Sequence, residues 1–184
     1  MKIKSIVITA IMLAMTLSVS AKDLDLSGKV LTIKKLITTE VKPDSPKKAI
    51  DFTFDYEGKE YKFSDITKNK VVFLNFWGTW CGPCRNEIPS IIEIQKELGT
   101  KDFLVIGMAC ERSESEINKV VSFVSTNKIN YVNFMRTKEI ADYYGGIKYI
   151  PSTYLIDKNG IVIDEKVGGN SKEVFMTWIK TVLK

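Results

Sequence analysis

The chain has 184 residues, 27 Lys and Arg against 22 Asp and Glu, three cysteines and no histidine. The length fits one domain, and a formal net charge of +5 with no dense Lys/Arg stretch excludes a nucleic-acid partner. Without histidine there is no Cys–His protease chemistry and no His-assisted copper binding. Three cysteines cannot complete a four-ligand Cys/His zinc site either, so no metal is expected.

Lys2 and Lys4 precede an uncharged apolar stretch from Ser5 to Ser20, and Val19-Ser20-Ala21 offers small residues before Lys22. This pattern predicts a secretory signal peptide over residues 1–21; the stretch is short of the roughly 20 residues a spanning helix prefers. A retained N-terminal membrane anchor is the alternative. No cysteine follows, so a lipidated N-terminus is unavailable. Removing Lys2 and Lys4 lowers the formal net charge from +5 to +3.

Residues 22–48 are polar, with short strands expected at Val30–Ile33 and Leu36–Val41 before Pro43 and Pro46 break regular structure. They read as an N-terminal extension and linker, leaving residues 49–184 as the domain. Aromatics alternate over Phe52–Tyr56 and Lys59–Phe63 around Glu57-Gly58, predicting a β-hairpin. The pattern then runs strand Val71–Phe76, helix Cys81–Leu98, strand Phe103–Ala109, helix Glu114–Asn127, strand Tyr131–Phe134 and a helical turn at Glu139–Tyr144. A hairpin Thr153–Asp157/Ile161–Val167 crosses Lys158-Asn159-Gly160, and Ser171 caps a last helix. Such alternation with a closing hairpin predicts an α/β sandwich on a mixed sheet. Pro89 inside the second helical pattern predicts a kink or break there.

Cys81-Gly82-Pro83-Cys84 sits where a buried strand passes into a helix. Residues three apart on a helix have Cβ atoms about 5–6 Å apart, and a disulfide needs roughly 3.5–4.5 Å, so a small distortion of the first turn closes the bond. Closing so short a loop stabilises little, about 2 kcal/mol on the chain-entropy formula, so the pair reads as a redox couple rather than a staple. In an exported chain, few cysteines and a CxxC point the same way. Such a couple carries its own electrons, so no cofactor is expected. Cys81 lies at the helix edge, where unpaired N–H groups favour a thiolate; Cys84 lies a turn further in. The helix terminus alone falls short of the stabilisation a reactive thiolate needs, and hydrogen bonds from Cys84 and nearby amides must add to it. Pro83 suits the first turn, where its missing N–H costs nothing.

The run Val71-Val72-Phe73-Leu74-Asn75-Phe76-Trp77, the CGPC, Glu87-Ile88-Pro89 and the stretch Tyr149 to Asp157 together resemble the TlpA/ResA-type thiol–disulfide oxidoreductases of the bacterial envelope. The resemblance covers about residues 49–184. It implies a thioredoxin-like three-layer sandwich with a mixed central sheet. It further implies Cys81 as nucleophile and Cys84 as resolving thiol, the two forming the redox disulfide. Pro151 matches the cis-proline that faces the disulfide and exposes the Ile150 backbone to a substrate chain, against the alternative of an ordinary trans proline before a strand. Trp80 matches a residue that covers the sulfurs. Asn75 stands where thioredoxin carries a buried acid, and Glu87 matches the acid expected to accept the Cys84 proton; a surface glutamate favourable to the helix dipole is the bland alternative. Cys110 reads as a buried inert thiol or as a partner in a regulatory or intermolecular disulfide.

The expected function is therefore that of an exported enzyme of the bacterial periplasm or cell envelope, exchanging thiols and disulfides with protein substrates. It would act as a reductant, in cytochrome c maturation, and draw electrons from a membrane thiol donor. An oxidase or isomerase, a peroxiredoxin-type peroxidase and a redox-inactive peptide-binding module are the alternatives. The peroxidase pattern, Thr-x-x-Cys behind a proline, is one residue longer than Thr79-Trp80-Cys81, and an intact CGPC argues against a redox-inactive module.

Overall fold

The computed structural model describes residues 24–37 and 47–183; the expected signal peptide lies outside them. Among the described residues, nine strands and five α-helices follow in chain order: β1 Val30–Leu31, β2 Lys35–Ile37, β3 Asp51–Tyr56, β4 Lys59–Lys62, α1 Phe63–Thr67, β5 Val71–Trp77, α2 Gly82–Leu98, β6 Phe103–Ala109, α3 Ile117–Thr126, β7 Val132–Met135, α4 Lys138–Tyr143, β8 Ser152–Ile156, β9 Val162–Val167 and α5 Lys172–Lys180. The central sheet has the order β1-β7-β6-β5-β8-β9. Pairs β1–β7, β7–β6 and β6–β5 are parallel, and β5–β8 and β8–β9 antiparallel, so the sheet is mixed. A smaller antiparallel sheet, β2-β3-β4, packs on one face.

All seven residues of β5 are buried, as a strand covered on both faces requires. Successive side chains on a strand face opposite ways, and β5 divides accordingly. Val71, Phe73 and Trp77 join Ile88, Ile91, Val120, Val124, Phe175 and Ile179 from α2, α3 and α5. Val72, Leu74 and Phe76 join Phe52, Phe54, Phe63, Ile66 and Ile140 from β3, α1 and α4, with Tyr144 at the C-cap of α4. The two cores and the sheet between them make three layers. Edge-to-face aromatic pairs fix the packing: Phe73 meets Phe175 at 4.9 Å and 87°, and Phe52 meets Phe134 at 5.0 Å and 78°, each such pair worth about 0.5–1.5 kcal/mol beyond burial.

The local signals behind these elements are specific. Glu57 and Gly58 both take positive φ, 50° and 75°, as a two-residue hairpin turn demands. Ser171 accepts from Val174 N and caps α5. Gln95 ties the end of α2 to the sheet, donating to the Gly99 carbonyl at 2.6 Å and accepting from Val105 N at 2.6 Å. Three features differ from the sequence reading. Phe63 opens α1 instead of ending the hairpin strand. The helix α2 runs through Pro89 from Gly82 to Leu98 without a break; proline forfeits one donor there, and Ile88, Ile91 and Ile94, all buried, hold both halves on the sheet. Val30–Leu31 joins the central sheet as its sixth strand, parallel to β7.

Candidate active site

The strand β5 ends at Trp77, and Gly78-Thr79-Trp80 turns the chain into α2. A side chain at Gly78 would press on Trp80 Nε1 at 2.9 Å and Ile150 Cδ1 at 3.3 Å, so the tightness of the turn selects glycine. Three hydrogen bonds hold it. Cys81 N donates to Gly78 O at 3.1 Å, Thr79 N to Glu111 Oε1 at 2.7 Å, and Trp80 Nε1 to Cys110 O at 3.1 Å. The Glu111 side chain is fully buried, with Lys119 Nζ 3.4 Å from its other oxygen. Trp80 remains 59% exposed, an aromatic pinned by its indole N–H with its face to solvent.

Cys81 is the N-cap of α2, and its sulfur accepts the Cys84 N–H at 3.2 Å. Cys81 and Cys84 are joined in a disulfide, with Cα atoms 5.3 Å apart. Cys84 is completely buried and Cys81 keeps only 4% of its surface exposed, so the first cysteine is the less enclosed of the two. Across from it the Ile150–Pro151 peptide bond is cis. The Ile150 carbonyl oxygen lies 3.6 Å from Cys81 Sγ, and the Pro151 carbonyl accepts from Gly168 N at 2.8 Å.

Beneath the pair, one rung of the sheet is polar. Thr153, Asn75, Gly107 and Asn133 are register partners across β8, β5, β6 and β7, on the face that α2 covers. Asn75 Nδ2 donates to Thr153 Oγ1 and to Glu87 Oε1, both at 2.9 Å. Trp77 Nε1 donates to Asn133 Oδ1 at 3.0 Å, and Asn133 Nδ2 to Tyr131 O at 3.0 Å. A Cβ on Gly107 would collide with Asn133 Oδ1 and stand 2.8 Å from Trp77 Nε1, so the rung has room only for glycine at that point.

Glu87, one turn along α2 from Cys84, points down onto this rung and is 3% exposed. Burial raises its carboxyl to about 7, against the opposing hydrogen bonds from Asn75 and from Asn170 N, the latter at 3.3 Å. Burial is the stronger influence because it penalises only the charged form. Asn75 Oδ1 and the Tyr131 hydroxyl, both buried, have no hydrogen-bond partner among the described residues. A cleft bounded by Pro83, Asn86, Gly169 and Asn170 reaches Glu87 from outside. Cys110 lies apart from the disulfide, buried and free, with burial pushing its thiol up to about 12 despite the neighbouring Arg136.

The structure thus brings Cys81, Cys84, Trp80, Ile150, Pro151 and Glu87 to one end of the sheet. Asn170 could not have been read from the sequence, because it acts on Glu87 through its backbone N–H. Glu111 had one signal, its place two residues past the end of β6, at the end of the sheet to which β5 delivers the cysteines.

A vicinal cysteine pair capping a helix opposite a cis-proline, on a mixed sheet between two packed layers, defines the class of thioredoxin-fold thiol–disulfide oxidoreductases. Comparison with known proteins narrows it. The AhpC/TSA family matches residues 46–165. The thiol–disulfide oxidoreductase ResA of Bacillus thuringiensis subsp. konkukian is 37% identical over 147 residues, 79% of this chain and 82% of that protein. The thioredoxin-like protein YneN of Bacillus subtilis is 32% identical over 134 residues, 73% of this chain and 78% of that protein. Among solved structures, a thioredoxin-family thiol:disulfide interchange protein from Chlorobium tepidum superimposes with a TM-score of 0.67 at 32% identity, covering 78% of this chain and 100% of that one. StoA from Bacillus subtilis, at 23% identity and a TM-score of 0.59 over 72% of this chain and 98% of its own, shares the fold. The chain belongs to the AhpC/TSA family and, within it, is a ResA-like thiol–disulfide oxidoreductase.

Proposed function

We propose that this oxidoreductase is exported and reduces protein disulfides through Cys81 and Cys84, with Glu87 as proton acceptor. The observation that carries the reading is the graded burial along α2: a first cysteine with a small exposed area beside the Ile150 carbonyl, a second cysteine fully enclosed, and a buried carboxyl one turn on.

In the reduced protein the Cys81 thiolate attacks one sulfur of a substrate disulfide. The substrate S–S bond breaks, its other sulfur leaves as a thiolate, and Cys81 is left in a mixed disulfide. Cys84 then gives its proton to the Glu87 carboxylate and attacks Cys81 Sγ. The Cys81–Cys84 bond forms, the mixed disulfide breaks, and the second substrate sulfur departs as a thiolate that takes up a proton. Two electrons pass from the dithiol to the substrate. A membrane thiol donor would restore the dithiol. The backbone edge at Ile150 and Pro151 would align the substrate chain, and Trp80 would flank it.

Four measurements test the reading. Cys84→Ser should accumulate covalent adducts through Cys81; adducts found by mass spectrometry mainly in Cys81→Ser would reverse the assignment. For a reductant the Cys81–Cys84 potential should lie nearer the roughly −270 mV of thioredoxin than the roughly −120 mV of DsbA. A glutathione equilibration above about −180 mV, the level of protein disulfide isomerase, would overturn the reductant in favour of an oxidase or isomerase. The resemblance to the TlpA/ResA type supports cytochrome c maturation as the setting, so an oxidised Cys-x-x-Cys-His peptide should be reduced faster than insulin. Consumption of peroxide in place of either substrate would indicate a peroxidase instead.

A further inference from the structure

Beside the disulfide, and sharing no lining residue with the cleft at Glu87, lies an open groove of about 520 Å³. Trp80, Cys110 and the segment from Gly146 to Ile150 are among the residues that line it. Its charges are lopsided. Arg112, Arg136 and Lys148 line it, and the one acid is Glu111. That carboxylate is already committed, to Thr79 N and to Lys119. None of the three cations is in an ion pair among the described residues. Arg136 Nε is buried with no hydrogen-bond partner among them, although a guanidinium N–H out of water without an acceptor is costly. Exposed aromatics stand at the groove mouth, Trp80 at 59% and Tyr149 at 72% exposure.

The groove is continuous with the chemistry. Ile150 belongs to its wall and also presents its carbonyl 3.6 Å from Cys81 Sγ. An extended chain advances about 3.3 Å per residue, so side chains two or three residues from an attacked sulfur reach the groove. Their charge then meets an uncompensated positive wall. We infer that this groove selects substrates by an Asp or Glu side chain within about three residues of the attacked cysteine, held by Arg136 with Arg112 and Lys148. The inference rests on the proposed disulfide-reductase reading and adds the substrate feature that it recognises.

The test uses the reduced protein and three oxidised Cys-x-x-Cys peptides differing only in flanking residues: Glu, Gln or Lys. Rates are taken by acid quench and chromatography. The Glu peptide should react about tenfold faster than the Gln peptide at about 0.01 M ionic strength, where the screening length is about 30 Å. The Lys peptide should be slower than both. The Glu/Gln ratio should fall toward one at about 1 M salt, where screening acts within about 3 Å. Read as the same ratio within each variant, it should also collapse in Arg136→Gln and shrink in Arg112→Gln and Lys148→Gln. Lys96→Gln, on the surface of α2 away from the groove, should keep it. A ratio near one in the unaltered protein, or one that survives Arg136→Gln at full size, overturns the inference. The salt series on the unaltered protein decides the matter even if a variant fails to fold. Neutral 2-hydroxyethyl disulfide separates the two claims: if it is reduced while the peptides show no charge preference, the groove proposal fails alone, and if neither it nor any peptide is reduced, the reductase reading fails.

Discussion

Glu87 shows how one carboxyl can be tuned by where its helix sets it down. Its raised value, about 7 against an ordinary 4.5, has a consequence for stability as well as for proton transfer. The folded protein holds this proton more tightly than the unfolded chain. Folding stability therefore falls as pH rises from about 4.5 to about 7, by up to about 3 kcal/mol, and then levels off. Glu87→Gln removes the titration, so its urea midpoint should stay level across that window while the parent's declines. In catalysis the signs reverse, since Glu87 can accept the Cys84 proton only when ionised. Resolution of the mixed disulfide should accelerate through about pH 7 in the parent. In Glu87→Gln it should be at least about tenfold slower above that pH, given typical general-base contributions of 10²–10⁴. A resolution rate that ignores the substitution from pH 5 to 9 would return Glu87 to a purely structural role. This residue was singled out in advance only by the resemblance to the TlpA/ResA type, which carries an acid shortly after the second cysteine. Its partners were less legible. Asn75 announced the absence of an acid, and gave no hint that its amide would hold Glu87 and Thr153 at once.

At the scale of elements, the polar rung Thr153–Asn75–Gly107–Asn133 is a device that no single strand contains. The sequence pattern located β5, β6, β7 and β8 to within a residue or two, since each is a short apolar run bounded by turn residues. Which residues would stand side by side depended on register, and one sequence carries no direct record of that. Gly107 is the sharpest case. Within Phe103–Ala109 it reads as a weak spot in a strand, whereas in the sheet it is the gap that admits the Asn133 side chain. Gly107→Ala should therefore cost about 1–3 kcal/mol by overpacking, measured by urea denaturation, and should release the Trp77–Asn133 hydrogen bond, shifting the buried tryptophan's fluorescence. An alanine tolerated without loss would mean that the rung is slack. The strand Val30–Leu31 escaped notice as a member of the main sheet for a related reason. A short strand was expected at Val30–Ile33, but nothing local marks its parallel partner, which lies about a hundred positions away at Asn133 and Phe134. Of the kink or break expected at Pro89, the break does not occur, because local propensity gives way where a helix is anchored on both sides of the proline.

For the whole molecule, the sandwich could be anticipated because alternation of strand and helix leaves few layered solutions. What it does in a cell depends on where it resides. No helix among the described residues is long and apolar enough to cross a membrane, so the proposal of export rests on residues 1–21. Expressed with its own N-terminus in a bacterial host, the protein should be recovered from the envelope with a mass that begins at Lys22; a product retaining Met1 to Ala21 would indicate an anchor. If the chain is exported as proposed, the span of the Asn75–Thr153 hydrogen bond, 78 residues, bears on the order of events during its passage. Cys81 and Cys84 are neighbours in the chain and can meet as soon as they emerge. The backbone edge at Ile150, the Thr153 hydroxyl and the Asn170 N–H arrive only with the last third of the polypeptide, and such distant pairings form late. On the proposal of export, a chain halfway through translocation would carry an oxidisable thiol pair with neither the Ile150 backbone edge nor the Asn170 N–H beside Glu87 in place. Productive exchange with other proteins would then wait until the C-terminal strands had closed the sheet.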